Sequence, residues 1–374
     1  MILISDDSVD NLFMKSVELV LEKGDNVKFN GSEYLIVYSA ILNIKDTQKK
    51  YISNPLLGIN YINTLIEFIM TINNYGTSYT ERYEIIKNFK PRNLLLDLED
   101  LDLRQGNAIF NWNGKNQLFE VYNILDTSLQ TSRAIMSFLE PQENIDVLKK
   151  NGQPCQHWWQ FIYKDGKLHL NACFRSISLV KGFSVINYYE LSMILQLMSN
   201  WLNIEPGEIN IFTGQLVLEK RNLKFIKKSL VFTKDNNNEI NSNLIDKTVD
   251  ITRENLFSDT AIVLDILKSI DELTINDLEK RLIEIKSAFL IECTKLIYID
   301  YLVSNRIYNT ATELYLSVEE SELKAICSLT YLNKIITHSN QENSELYNSI
   351  IKLTDKYFQR GISNELFENN IMKG

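Results

Sequence analysis

The stretch 156–176, QHWWQFIYKDGKLHLNACFRS, constrains the fold more than any other part of this chain. Two runs of aromatic and apolar residues flank Asp165-Gly166. Asp-Gly tolerates the positive φ angles that a two-residue hairpin turn demands, so the segment reads as a β-hairpin. Other stretches also read as strand. Residues 33–45 (EYLIVYSAILNIK) are rich in β-branched and aromatic types, 133–139 (RAIMSFL) are similar, and 208–231 alternate. Between them lie helical patterns at 10–24, 59–73, 115–126 and 187–202, the last closed by a turn at Glu205-Pro206-Gly207. Strands interleaved with helices make this region α/β.

At 234–243 the composition becomes polar and Asn-rich (KDNNNEINSN), which marks a boundary. Beyond it the pattern is helical. Apolar residues at 278, 282, 285, 289, 293 and 296 form one stripe. Ser317-Val318-Glu319-Glu320 and Ser339-Asn340-Gln341-Glu342 fit the helix-initiating capping box. Two domains are expected, 1–235 and an all-α region 236–374, because a single core rarely grows beyond ~250 residues.

The chain carries a net charge of −9, which repels phosphate backbones and argues against non-specific nucleic-acid binding. The four cysteines show no CxxC pairing, and His157, His169 and His338 have no ligand spacing, so no metal site is expected. No apolar run reaches membrane-spanning length, and the start MILISDDSVD lacks the basic segment of a secretory leader. A cytoplasmic location with free thiols follows as the expectation.

Residues 154–187 read PCQHWWQFIYKDGKLHLNACFRSISLVKGFSVIN. The Pro-Cys pair, the Asp-Gly-Lys-Leu hairpin, Arg175-Ser176, Gly182, Asn187 and the later Pro206-Gly207 resemble the nucleophile region of thymidylate synthases and related pyrimidine nucleotide hydroxymethylases. Asn187 lies one residue further from Arg175 than in the family, which implies an insertion in a loop at 183–186. The resemblance extends over about residues 10–231. It takes in Arg133 within QTSRAIMS, and Glu67 in the apolar helix 59–73.

The resemblance implies a thymidylate-synthase-like mixed sheet with helices, followed here by an all-α C-terminal region. It also implies a homodimer and a pyrimidine nucleotide as substrate. Cys155, Glu67 and Asn187 would be catalytic, with Arg175, Ser176, Arg133 and Gly214 binding substrate. A cysteine thiolate adding to carbon 6 of the pyrimidine makes carbon 5 nucleophilic toward a one-carbon donor. Arg175 would favour the thiolate and fork onto a phosphate. An asparagine matches the uracil imide edge. Taken singly, each residue has a plainer reading: Cys155 a structural thiol, Asn187 a helix N-cap, Glu67 a satisfied buried carboxylate, Trp158 and Trp159 core and interface. His157 and His169 read as hairpin residues without chemistry.

Departures from the family are equally specific. After Gly214 come Gln215, Leu216, Val217, Leu218 and Glu219, where the family has an Asp and the His and Tyr that hold the sugar. Ser178 replaces the Asp that helps hold 5,10-methylenetetrahydrofolate, the cofactor the resemblance implies. Two functions remain open. One is methyl or hydroxymethyl transfer to carbon 5 through a Cys155 adduct. The other is a catalytically silent nucleotide-binding or scaffold relative whose C-terminal helices bind a partner.

Overall fold

The computed structural model describes residues 1–29, 31–54, 57, 59–75, 79–89, 105–139, 155–235, 248–337 and 344–358. Pro154, His338, the second capping box and most of the Asn-rich boundary lie outside them. The chain divides into two compact units. One comprises Met1–Ile52, Met70–Glu84 and Pro91–Ile226; the other comprises Ser53–Ile69, Ile85–Lys90 and Lys227–Gly374.

The first unit is built on a mixed sheet. Its strands are β1 (Ile2–Asp6), β2 (Asp25–Phe29), β3 (Ser32–Ile44), β4 (Ile135–Ser137), β5 (Gln156–Lys164), β6 (Lys167–Phe174), β7 (Ile177–Ser178) and β8 (Glu205–Glu219). The order is β1-β3-β8-β6-β5-β4, with β2 on β3 and β7 on β8. The helices before β8 are α1 (Val9–Lys23), α2 (Tyr61–Ile72), α3 (Tyr79–Ile86), α4 (Gln105–Phe110), α5 (Gln117–Thr127) and α6 (Tyr188–Leu202). After it come α7 (Leu223–Asp235), α8 (Leu256–Lys268), α9 (Ile275–Leu282), α10 (Ala288–Ser304), α11 (Tyr308–Ser317), α12 (Glu322–Thr337) and α13 (Ser344–Phe358). The α/β architecture with a helical C-terminal region is the one the sequence predicts.

Strand alternation separates the two faces of the sheet. Ile4, Leu42, Ile211, Ala172, Trp159 and Met136 stand level across six strands, and all are buried. Helices α1 and α6 pack on β3, β6 and β8. In α1, Ser8 caps the start by accepting from Asn11 N–H, and Leu12, Phe13, Val17 and Val20 are buried. Gly24 ends it at an ordinary φ of −72°; a Cβ there would lie 2.4 Å from Val20 O, so close approach selects glycine.

The opposite face is half-exposed and striped. Leu3, Ile41, Phe212, Cys173 and Trp158 form an apolar row across five strands. One row along stand Ser5, Asn43, Asn210, Asn171 and Gln160. Ser5 Oγ donates to Asn43 Oδ1 at 2.6 Å, Asn43 Nδ2 to Asn210 Oδ1 at 2.8 Å, and Asn210 Nδ2 to Asn171 Oδ1 at 3.0 Å.

Two readings of the sequence need correction. Glu205-Pro206-Gly207 is no turn: α6 stops at Asn203, which is left-handed (φ 53°, ψ 47°), and β8 begins at Glu205. Proline is tolerated at a strand start, and the His169 ring lies 2.8 Å from where a Gly207 Cβ would stand. The alternation assigned to 208–231 ends at Glu219. Beyond it Ile226 and Ser229 are buried while Lys224, Lys227 and Lys228 are exposed, a helical spacing that forms α7.

In the second unit all six residues of the apolar stripe 278–296 are buried. Leu278 and Leu282 lie on α9, Phe289, Cys293 and Leu296 on α10, and Ile285 in the connection between them, because the helix is interrupted before Ser287. Asp250 accepts from Ala288 N–H at 2.8 Å and Phe289 N–H at 3.1 Å, and Asp259 from Ser287 N–H at 3.0 Å. These carboxylates satisfy the start of α10 and favour its dipole. The capping box at Ser317 also moves. Ser317 Oγ turns back to Leu314 O and closes α11, while Ser321 caps α12 by accepting from Lys324 N–H. Deeper inside, Lys334 Nζ holds both carboxylate oxygens of Asp300 at 2.6 Å and Ser304 Oγ at 2.8 Å.

Candidate functional site

Asp165 (φ 52°) and Gly166 (φ 80°) make the hairpin turn between β5 and β6. Two antiparallel strands closed at one end bring their open ends together, and here Arg175 N–H donates to Cys155 O at 2.9 Å. Strand β8 runs beside β6, with Phe174 level with Thr213. A Cβ on Gly214 would lie 2.8 Å from Arg175 O, so only glycine lets the two backbones approach this closely. Cys155 and Arg175 thus flank the open end of the β5–β6 hairpin, and Gly214 lies beside them within β8.

Among the cysteines Cys155 is the exposed one. Cys173 is half-buried and burial pushes its thiol up; Cys293 and Cys327 are buried. A bulge between Gln156 and Trp158 leaves His157 as the extra residue of β5. Burial, and then the positive charge of Arg175, hold its imidazole below the usual value. His157 therefore shares the electrostatics of this site, a role that strand periodicity alone gave no sign of.

Arg175→Ala is expected to raise the His157 pKa toward the ordinary imidazole value, read by NMR titration. The sign is fixed. A histidine with a depressed folded pKa contributes stability above its unfolded pKa, and that contribution is lost as pH falls through the folded one. The variant should therefore lose less stability than the parent on mild acidification. An unmoved His157 pKa would place the guanidinium elsewhere.

Asn187 ends a π-helix, Leu179–Asn187, that runs directly into α6. Residues 183–186, expected to form a loop, lie inside this π-helix, whose turns are wider than those of an α-helix. Asn187 has helical angles (φ −61°, ψ −48°) and makes no side-chain cap. Its Oδ1 lies 3.2 Å from where a Gly182 Cβ would stand, with Ser178 Cβ on the same side at 3.9 Å. Ser178 stands level with Val217 on β8, three residues beyond Gly214. Ser176, half-buried, links β6 to β7. Glu219, at the end of β8, forms an ion pair with Arg221.

One predicted residue lies apart within the first unit. Arg133 precedes β4, whose Ile135 stands level with Gln160, and Ala134 O accepts from Phe161 N–H. Arg133 is therefore toward the hairpin-turn end of β5, on the order of 20 Å from Cys155 at ~3.3 Å per strand residue. Glu67 lies on α2, in the segment of the second unit, and is 8% exposed. Among the described residues no helix is long and apolar enough to cross a membrane, and no group of three His, Cys, Asp or Glu is placed to hold a metal ion.

An exposed cysteine and an arginine thus stand together at the mouth of a hairpin on an α/β sheet, with a glycine-bearing strand alongside. The thymidylate synthase family model matches residues 40–264. The chain belongs to the thymidylate synthase family. A protein described as "Putative thymidylate synthase" from Methanosarcina barkeri is 30% identical over 113 residues, 30% of this chain and 50% of that protein. The deoxyuridylate hydroxymethyltransferase of Bacillus phage SP01 is 32% identical over 108 residues, 29% of this chain and 28% of that protein. The chain thus spans about half the length of the first relative and just over a quarter of the second.

Proposed function

We propose that this chain is a transferase acting at carbon 5 of a pyrimidine nucleotide through a covalent Cys155 adduct. The observation that carries the reading is the joint placement of exposed Cys155 and Arg175, tied by a backbone hydrogen bond and backed by Gly214. Cys155 Sγ bonds to carbon 6, and the electron pair of the 5,6 double bond moves into an enolate at oxygen 4. Carbon 5 then takes up a proton or a one-carbon electrophile. Loss of the original carbon-5 proton and expulsion of the thiolate restore the ring. Arg175, with Ser176, binds the phosphate. Asn187 is released from capping duty and offers its amide to the imide edge. Arg133, remote from Cys155 of its own chain, serves the site of a second copy.

The fit to 5,10-methylenetetrahydrofolate is poor. A pterin edge with adjacent N–H donors calls for the two acceptors of a carboxylate, and Ser178 on β7 offers one hydroxyl. No step is assigned to that cofactor. The silent alternative draws its support from β8, where Val217 and the ion-paired Glu219 replace the sugar-holding residues.

Incubation with 5-fluoropyrimidine nucleotides, deoxyribo and ribo, decides between them. Turnover chemistry predicts a mass gain of one nucleotide per chain with at least one member of the series. No adduct with any of them would overturn the proposal.

We also propose a homodimer through the half-exposed sheet face. Leaving the row Leu3, Ile41, Phe212, Cys173 and Trp158 in water forfeits about 25 cal/mol for each Å² of apolar surface. Light scattering at micromolar concentration should give twice the chain mass, and Phe212→Asp should halve it. A monodisperse monomer of the parent protein would refute this.

A further inference from the structure

One polar group beside the nucleophile has no use in the reaction as proposed. Gln156 follows Cys155, opens β5 and is 7% exposed. Its Oε1 is sealed from solvent and has no hydrogen-bond partner among the described residues. Folded chains retain few such atoms, because an amide oxygen gives up its hydration on burial and regains nothing. The bulge at His157 puts Gln156 on the same covered face as Trp159, two strand steps further in, about 7 Å away. The indole Nε1 of Trp159 also has no partner among the described residues, although its ring packs on Phe138 with centroids 4.7 Å apart. An acceptor and a donor without partners therefore line the covered face directly inside Cys155.

We infer that Gln156 is a substrate-contact residue whose amide reads the edge of the pyrimidine base attacked by Cys155. The inference rests on the proposed nucleotide site and adds a specificity-determining residue to it. A uracil edge presents carbonyl, N–H and carbonyl in sequence. One side-chain amide satisfies two of these groups, so Asn187 alone leaves one unpaired. Gln156 supplies the second amide, and its buried oxygen gains the donor it lacks when the base binds. A water bridging Gln156 to Trp159 is the rival explanation, and it makes the glutamine purely structural.

Gln156→Met separates the two, since methionine keeps the length and volume and removes the polar atoms. Thermal unfolding and calorimetric titration with deoxyuridine and uridine monophosphates are read side by side. A ligand contact predicts an unchanged or higher Tm together with nucleotide affinity lowered by about tenfold, the effect of leaving one ligand group unpaired. Inorganic phosphate, which lacks the base, should bind both proteins alike. Unchanged nucleotide affinity in Gln156→Met overturns the inference and leaves the nucleotide site standing. A fall in Tm together with affinity assigns the residue to the structural bridge and also overturns it. A parent protein that binds neither nucleotide overturns both the inference and the site on which it rests.

Discussion

Cys155→Ser should lower hydrogen exchange at carbon 5 of a pyrimidine nucleotide on the order of 10³-fold or more, the scale of losing a nucleophile. Exchange needs only addition at carbon 6, protonation and deprotonation at carbon 5, and elimination. It requires no one-carbon donor, so the poor match of Ser178 to a folate does not cloud the result. Serine is close in size and cannot form the anion at neutral pH, so a loss reports chemistry rather than packing. The same geometry orders the thiols toward iodoacetamide. Cys155 is exposed and should label first; Cys173, half-buried with its thiol pushed up, should follow. Buried Cys293 and Cys327 should label only on unfolding. Bound nucleotide should protect Cys155 alone. Parent protein without exchange, and with Cys155 no faster than Cys173, would turn the assignment toward a silent relative.

The largest stability effect is expected in the helical unit. Lys334→Met should destabilise the protein by about 3–5 kcal/mol near neutral pH, the range for stripping the partner from a buried charge. Asp300 is 1% exposed, and both of its oxygens are held by Lys334. Burial raises the Asp300 pKa, and Lys334 offsets only part of that. An acid with a raised folded pKa has its full stability below the unfolded value and loses it as pH climbs through the folded one. Without Lys334 the folded pKa rises further. The deficit of the variant should therefore shrink on acidification, as Asp300 takes a proton and ceases to need a counter-charge. Asp300→Asn added to Lys334→Met should recover much of the loss. Urea unfolding at two pH values tests both points, and a pH-independent deficit would mean that packing, not charge, is what Lys334 supplies.

The parts of this fold that could be read in advance are those whose cause is local. Asp165-Gly166 fixes its own φ angles, so the hairpin and the spacing from Cys155 to Arg175 were legible. The helix from Val9 to Lys23 and the stripe from Leu278 to Leu296 follow from periodicity. What escaped depends on neighbours distant in sequence. Pro206-Gly207 reads as a turn until His169 is known to fill the space beside Gly207. Ser317 satisfies the capping-box pattern, yet closes the helix behind it rather than opening the next. The segment 183–186 reads as a loop, and its winding as a π-helix depends on packing against β7 and β8. Gln156 and His157 sit at a bulge, and a bulge inverts the alternation from which their orientation would be inferred.

The row of hydrogen-bonded amides on the outer sheet face has a consequence for the site. A β-ladder can mispair by one position with little change in its backbone hydrogen bonds, and side chains must forbid it. Asn43, Asn210 and Asn171 bond in sequence only when β3, β8 and β6 are level. A slip of β6 along β8 would break this chain of amides and carry Arg175 about 3.3 Å from Gly214, where the backbones now nearly touch. The amides thus act as a mechanical index mark: they set the alignment of β3, β8 and β6 on one side of the sheet, and the approach of Arg175 to Gly214 is held to that setting.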